Sequence, residues 1–132
     1  MKKAKEDFKE IEKEEYEGHK EVMPMIPLRG LSIFPYMVLH FDIGREKSIS
    51  ALEKAMMMNQ TVFLSAQINA ETDLPTRDDF YQVGTIAKIK QMLRLPGDTI
   101  RVLVEGVSRG RIEEFIFEVP YFKCRVTAIE EG

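Results

Sequence analysis

Residues 81–112, YQVGTIAKIKQMLRLPGDTIRVLVEGVSRGRI, constrain the fold more than any other part of the chain. Ala87, Ile89, Leu93 and Leu95 fall on one face of a period of two, with Lys88, Lys90 and Arg94 on the other, as in a half-buried strand. Pro96, Gly97 and Asp98 then supply a fixed φ, a residue free to take positive φ, and a side chain that closes on its own backbone. Ile100, Val102 and Val104 next alternate with Arg101, Leu103 and Glu105, and Gly106 and Gly110 bracket an expected second reversal. Two long strands with a tight turn between them make this a β scaffold.

The flanking sequence extends that scaffold. Residues 25–28 form a short strand whose prolines suit an edge or a strand start. After Pro35, Met37, Leu39, Phe41 and Ile43 alternate with Val38, His40 and Asp42 in a second strand. The period then changes to three and four through Ile49, Leu52, Ala55, Met56 and Asn59, which predicts a helix over 46–58. TVFLSA at 61–66 is a β-rich run. A polar loop, 67–77, follows, in which Thr76 and Asp79 are placed to cap a short helical turn. Further strands are expected at 111–118 and 121–129. The sum is mainly β (α+β), six to seven mostly antiparallel strands with one inserted helix, arranged as a small barrel or two packed sheets.

Residues 1–21 stand apart. Six lysines and eight acids surround Phe8, Ile11 and Tyr16, too thin an apolar stripe to bury much, so a frayed helix or disordered extension is expected there, with the folded domain at 22–132. A length of 132 residues with 44% hydrophobic content fits one domain with a real core. Net charge of −3 gives no global bias toward nucleic acid or anionic lipid. The apolar runs are far shorter than a membrane span, and Cys124 as the sole cysteine precludes an intrachain disulfide. The expected setting is soluble and cytoplasmic.

Two blocks carry a family resemblance. The hairpin VGTIAKIKQMLRLPGDTIRVLVEGVSRGRI is similar to the signature hairpin of the amino-terminal domain of Lon ATP-dependent proteases. Ile26-Pro27-Leu28-Arg29-Gly30, Phe34-Pro35 and the stretch from Phe41 to Ser48 (FDIGREKS) resemble the opening of that domain, in the expected order. With Pro120-Tyr121 the similarity covers about residues 23–130. It implies a pseudo-barrel related to the PUA-like fold, followed in the longer family members by a helical segment that would begin where this sequence stops. The chain therefore reads as an excised subdomain, with a naturally short protein as the alternative.

The resemblance also implies a function without catalysis in this chain: recognition of unfolded or damaged polypeptide, and help in arranging a homohexameric ATP-dependent serine endopeptidase. ATP and Mg²⁺ would be bound only by the ATPase domain of such a parent. A stand-alone adaptor or small-ligand module, or an RNA-binding module on the same fold, are the other readings.

The residues themselves agree that chemistry is sparse. No glycine precedes a lysine, so there is no P-loop to cradle phosphates. Lys47 and Ser48, or Ser50 and Lys54, read as helix surface. His19, in the charged segment, and His40, on the polar face of a strand, are two histidines without a neighbouring acidic or thiol cluster and do not make a metal site. Cys124 shares a strand face with Phe122, Val126 and Ala128 and reads as a small buried hydrophobe. Lys88, Lys90, Arg94, Arg101, Arg109, Arg111, Lys123 and Arg125 would make a basic stripe, but acids lie among them and stacking aromatics are few. What remains is apolar. Three consecutive methionines on a helix point three ways; Met56 continues the core stripe, which leaves Met57 and Met58 for solvent or a partner. Phe34 and Tyr36, beside Pro35, complete the candidate substrate-binding set.

Overall fold

TVFLSA has no polar alternation, which suits a strand covered on both faces. A computed structural model of the protein describes residues 20–129 and places that segment as β3 (Thr61–Ala66), buried from Thr61 to Ser65. Its neighbour β1 (Lys20–Leu28) runs parallel to it, Met25 opposite Phe63 and Leu28 opposite Ala66. Parallel neighbours need a long crossover, and here the crossover contains β2 (Val38–Ile43) and α1 (Glu46–Met57).

Because side chains alternate along a strand, β1 and β3 feed two cores. Ile26, Leu28, Val62 and Leu64 pack with Ala51, Leu52 and Ala55 of the helix. Met23, Met25 and Phe63 face the other way, onto Phe80, Ile112, Phe122 and Val126. The helix buries Ser48, Ala51, Leu52 and Ala55. The buried stripe thus lies about one residue earlier than expected: Ile49 and Met56 flank the core, and Asn59 lies beyond the helix.

The long hairpin forms as the alternation predicts. β4 (Val83–Leu95) and β5 (Thr99–Phe117) pair antiparallel around Gly97 and Asp98, both at positive φ. With β6 (Phe122–Ile129) the sheet order is β2-β5-β4-β3-β1-β6, and β5 pairs with β6 as well. Hydrogen bonding thus circles through five strands while β2 hangs on β5 alone, a pseudo-barrel that is not a closed barrel.

Two expectations fail for instructive reasons. The reversal at Gly106–Gly110 does not occur, and the two strands expected there are the single strand β5, so the described residues form six strands, within the expected six to seven. The glycines answer close approach instead of turning. A Cβ on Gly106 would overlap the Phe34 carbonyl oxygen, and one on Gly110 would sit 2.7 Å from Val126 Cγ1 and 3.0 Å from the Phe63 ring. The second failure is Leu93. A register shift between Ile89 and Gln91 reverses the alternation, so Met92 packs on the first core while Leu93 faces solvent and Arg94 turns to Glu53 of the helix, 3.8 Å away.

The expected charged extension at 1–21 lies outside the described residues up to position 19. Lys20 and Glu21, expected within it, open β1 opposite Thr127 and Val126.

Candidate functional site

The arginines of the motif blocks turn out to be braces. Arg29 donates from Nε to the Ala70 carbonyl (2.7 Å) and lies 3.6 Å from the Asp73 carboxylate. Arg45 donates to the Asp73 carbonyl (3.1 Å) and to Gln67 Oε1 (2.6 Å); the Gln67 amide donates in turn to the carbonyls of Asn69 and Thr72. Burial, with Arg29 close by, lowers the pKa of Arg45, yet a guanidinium keeps its charge at any ordinary pH. Asp79 accepts from the Thr76 backbone N–H at 2.7 Å, the expected cap, on a single 3-10 turn, Arg77–Asp79. The 67–79 loop is therefore fixed from several sides.

The turn that precedes β2 is different in kind. Met37 N–H donates to the Phe34 carbonyl (3.1 Å), and the third residue of this turn, Tyr36, has φ of 69°. That conformation suits glycine and costs a bulky L-residue about 1–2 kcal/mol. Two bonds hold the turn on β5: Tyr36 N–H to the Gly106 carbonyl and Gly106 N–H to the Met37 carbonyl, each 2.8 Å. The absent Cβ of Gly106 is what lets the turn backbone come this close.

The turn stabilises its backbone while leaving its apolar side chains in water. Tyr36 is 85% exposed, Val38 58% and Phe34 51%, with Met37 beside them and Arg109 5.5 Å over the Phe34 ring. Val107 follows Gly106, the residue that holds the turn. It is the extra residue where β5 shifts register between Gly106 and Ser108 against Ala87 and Ile86, and it too is exposed.

Met56 packs on the first core, whereas Met57 (80% exposed) ends α1 and Met58 (58%) caps it. All four residues named from the sequence are accessible, but they form two groups. Thr61, Lys88, Glu105 and Val38 are successive partners across β3, β4, β5 and β2. That row spans three strand spacings, roughly 14 Å. Along it, Lys88 bonds the Asn59 carbonyl and Lys90 pairs with Glu105 at 3.4 Å. A charged ridge divides the methionines from the turn. Sequence reasoning missed Val38, although a valine on the outward face of a half-exposed strand was a legible signal. It also missed Val107, whose bulge left no signal.

The remaining candidates have structural explanations. Cys124 is buried, and desolvation first, then the Glu118 charge, push its thiol up to about 12. The basic residues of the outer face are interleaved with acids: Arg101 with Asp42 at 2.8 Å, Arg125 with Glu114 at 3.9 Å. The Arg101 hydrogen bond holds the Asp42 carboxyl below its usual range. Among the described residues no three His, Cys, Asp or Glu side chains are grouped to hold a metal, and no helix is long and apolar enough to cross a membrane.

This architecture has known counterparts. The amino-terminal domain of a Mycobacterium avium complex Lon protease superposes with a TM-score of 0.67 at 20% identity, covering 85% of this chain and 56% of that one. A Lon N-terminal domain protein from Xanthomonas campestris gives 0.64 at 11% identity, covering 83% and 60%. In sequence, the chain is 56% identical to the Lon protease of Clostridium acetobutylicum over 110 residues and 59% identical to that of Clostridioides difficile over 107. These alignments take in 83% and 81% of this chain but only 14% of each relative's length. A family model described as the ATP-dependent protease La (LON) substrate-binding domain matches residues 22–132. The chain belongs to the Lon substrate-binding domain family.

Proposed function

We propose that this domain holds unfolded or damaged polypeptide weakly, through exposed apolar side chains, for a cytoplasmic ATP-dependent serine protease that assembles as a homohexamer. In this reading the chain itself is not an enzyme: ATP, Mg²⁺ and the proteolytic residues belong to other domains of the parent, and its partners are client polypeptides and neighbouring Lon domains. The observation that carries the reading is the 34–38 turn, where Phe34, Tyr36 and Val38 are exposed on a backbone anchored to Gly106. Rigid anchoring lowers the ordering cost of binding, and apolar contacts without a tailored polar pocket accept many sequences. Met57 and Met58 provide a second, more pliable contact across the charged ridge.

One such patch supports a dissociation constant near a millimolar, about −4 kcal/mol, and six copies on a ring would raise it through effective concentration. The test is a titration of the chain with reduced, carboxymethylated α-lactalbumin, an obligatorily unfolded client. Tyr36→Ser/Val38→Ser is expected to weaken binding several-fold, and Met57→Ser/Met58→Ser to a smaller extent, with both variants folded. Binding unaltered in both would refute the assignment of these surfaces.

A further inference from the structure

We propose that the open edge of β2 receives a segment of the unfolded client as an added antiparallel or parallel strand. The inference rests on the functional reading above and names how the client backbone is held.

Among the described residues, four longer stretches of the sheet lack a neighbour on one side. Lys20–Pro24 of β1 precedes its pairing with β3, Lys90–Leu95 of β4 extends past the end of β3, Glu113–Phe117 of β5 extends past the start of β4, and β2 pairs only with β5. Exposed edges invite pairing with other chains, and folded proteins blunt them with charges, prolines and bulges. All but β2 are blunted. The β1 stretch carries Lys20, Glu21 and Pro24. The β4 stretch carries Lys90 and Arg94 beside a register shift, and the β5 stretch carries Glu113 and Glu114 between two register shifts. β2 has neither lysine nor proline within it, and its pairing with β5 runs from Val38↔Glu105 to Ile43↔Ile100 with no shift. Its one carboxylate, Asp42, is drawn onto the sheet face by Arg101.

The register also fixes which groups are offered. Gly106 N–H bonds the Met37 carbonyl, so in an antiparallel ladder Leu39, Phe41 and Ile43 direct their N–H and C=O toward β5. Val38, His40 and Asp42 then direct theirs to the open side. A depression borders β2 itself, a groove of about 290 Å³ that Leu31, Phe41 and Ile43 help line; on the other face a second, of about 280 Å³, runs from His40 of β2 across β5 to Leu93 of β4. Backbone bonds without sequence preference, with alternate side chains entering shallow apolar depressions, are the elements of strand addition. They suit a receptor for many sequences.

The test uses the whole chain and a short soluble peptide with a Leu-Val-Leu-Val centre, compared with the same peptide N-methylated at alternate residues, alongside the carboxymethylated client. Strand addition predicts at least a tenfold loss of affinity on methylation. It also predicts slowed amide exchange at Val38, His40 and Asp42 when client is bound, with Leu39 and Phe41 unchanged. His40→Pro, which removes the outward N–H together with the imidazole, should weaken binding about tenfold, with unchanged amide shifts elsewhere showing that it folds; His40→Lys, which also loses the imidazole but keeps the N–H, should weaken it less. Client binding that is indifferent to methylation, with the three amides unprotected, overturns strand addition and leaves the apolar-patch reading standing. Protection of those amides by the chain's own dimerisation, without peptide, overturns it in favour of self-pairing. No binding of client or peptide overturns both readings.

Discussion

Phe63 and Tyr36 are aromatic residues that each meet a glycine of β5, with opposite outcomes. At Gly110 the missing side chain makes room for the Phe63 ring, which is fully buried between the strands, with Gly84 opening the same space from β4. At Gly106 the missing side chain makes room for the backbone of the turn, and the Tyr36 ring is left in water. One glycine contact serves the interior, where apolar area stabilises the fold. The other fixes a loop so that its apolar area stays available. In the proposed reading, these exposed hydrophobic side chains, on a backbone held at positive φ at Tyr36, form a surface kept for client binding.

The largest effect that tests this contrast is at Phe63. Phe63→Ala should cost about 4 kcal/mol, read as a shift in the denaturant midpoint; a loss near 1 kcal/mol would mean the second core repacks around the gap and the glycines are not shaped to the ring. Cys124 probes the same core. Its folded pKa, about 12, lies above the ordinary 9.0, so the neutral thiol is favoured in the native state. Its stability contribution should be complete below about pH 9 and lost progressively as pH rises toward about 12. Cys124→Ala should flatten that alkaline decline, and the native thiol should react with a thiol reagent only as fast as the protein opens.

Gly106→Ala is expected to cost about 2 kcal/mol, because the added methyl meets the backbone oxygen of Phe34, which no rotamer change can relieve. The same variant should weaken client binding, and unchanged binding would separate the turn from the function. Tyr36→Gly is the smallest perturbation of stability, within about 0.5 kcal/mol, since relief at positive φ offsets the added freedom of the unfolded chain. Client affinity should nevertheless fall. A large destabilisation here would show that the tyrosine serves the fold after all.

How much of this was legible follows from what each pattern records. Alternation located β2 and the β4–β5 hairpin, and a period of three and four located the helix, because a buried face repeats along an element; β3 showed as a β-rich run without alternation. Alternation failed at Leu93 because a bulge shifts the phase without altering composition. Gly106 and Gly110 read as turn residues because close approach and positive φ call for the same residue type, and only the partner distinguishes them. Met57 and Met58 were legible from helical period. The grouping of Phe34 and Tyr36 with Val38, apart from the methionines, depends on which strands are neighbours.

The central claim is that the 34–38 turn and the edge it leads into form the client surface. Backbone amide shift perturbations on adding carboxymethylated α-lactalbumin test it most directly. The account predicts perturbations concentrated at residues 34–42 and at Val107, smaller ones at Met57 and Met58, and reduced ones throughout in Tyr36→Ser/Val38→Ser. Perturbations confined to Lys88, Lys90, Arg111, Lys123 and Arg125, with the turn silent, would contradict it and point to an electrostatic partner instead.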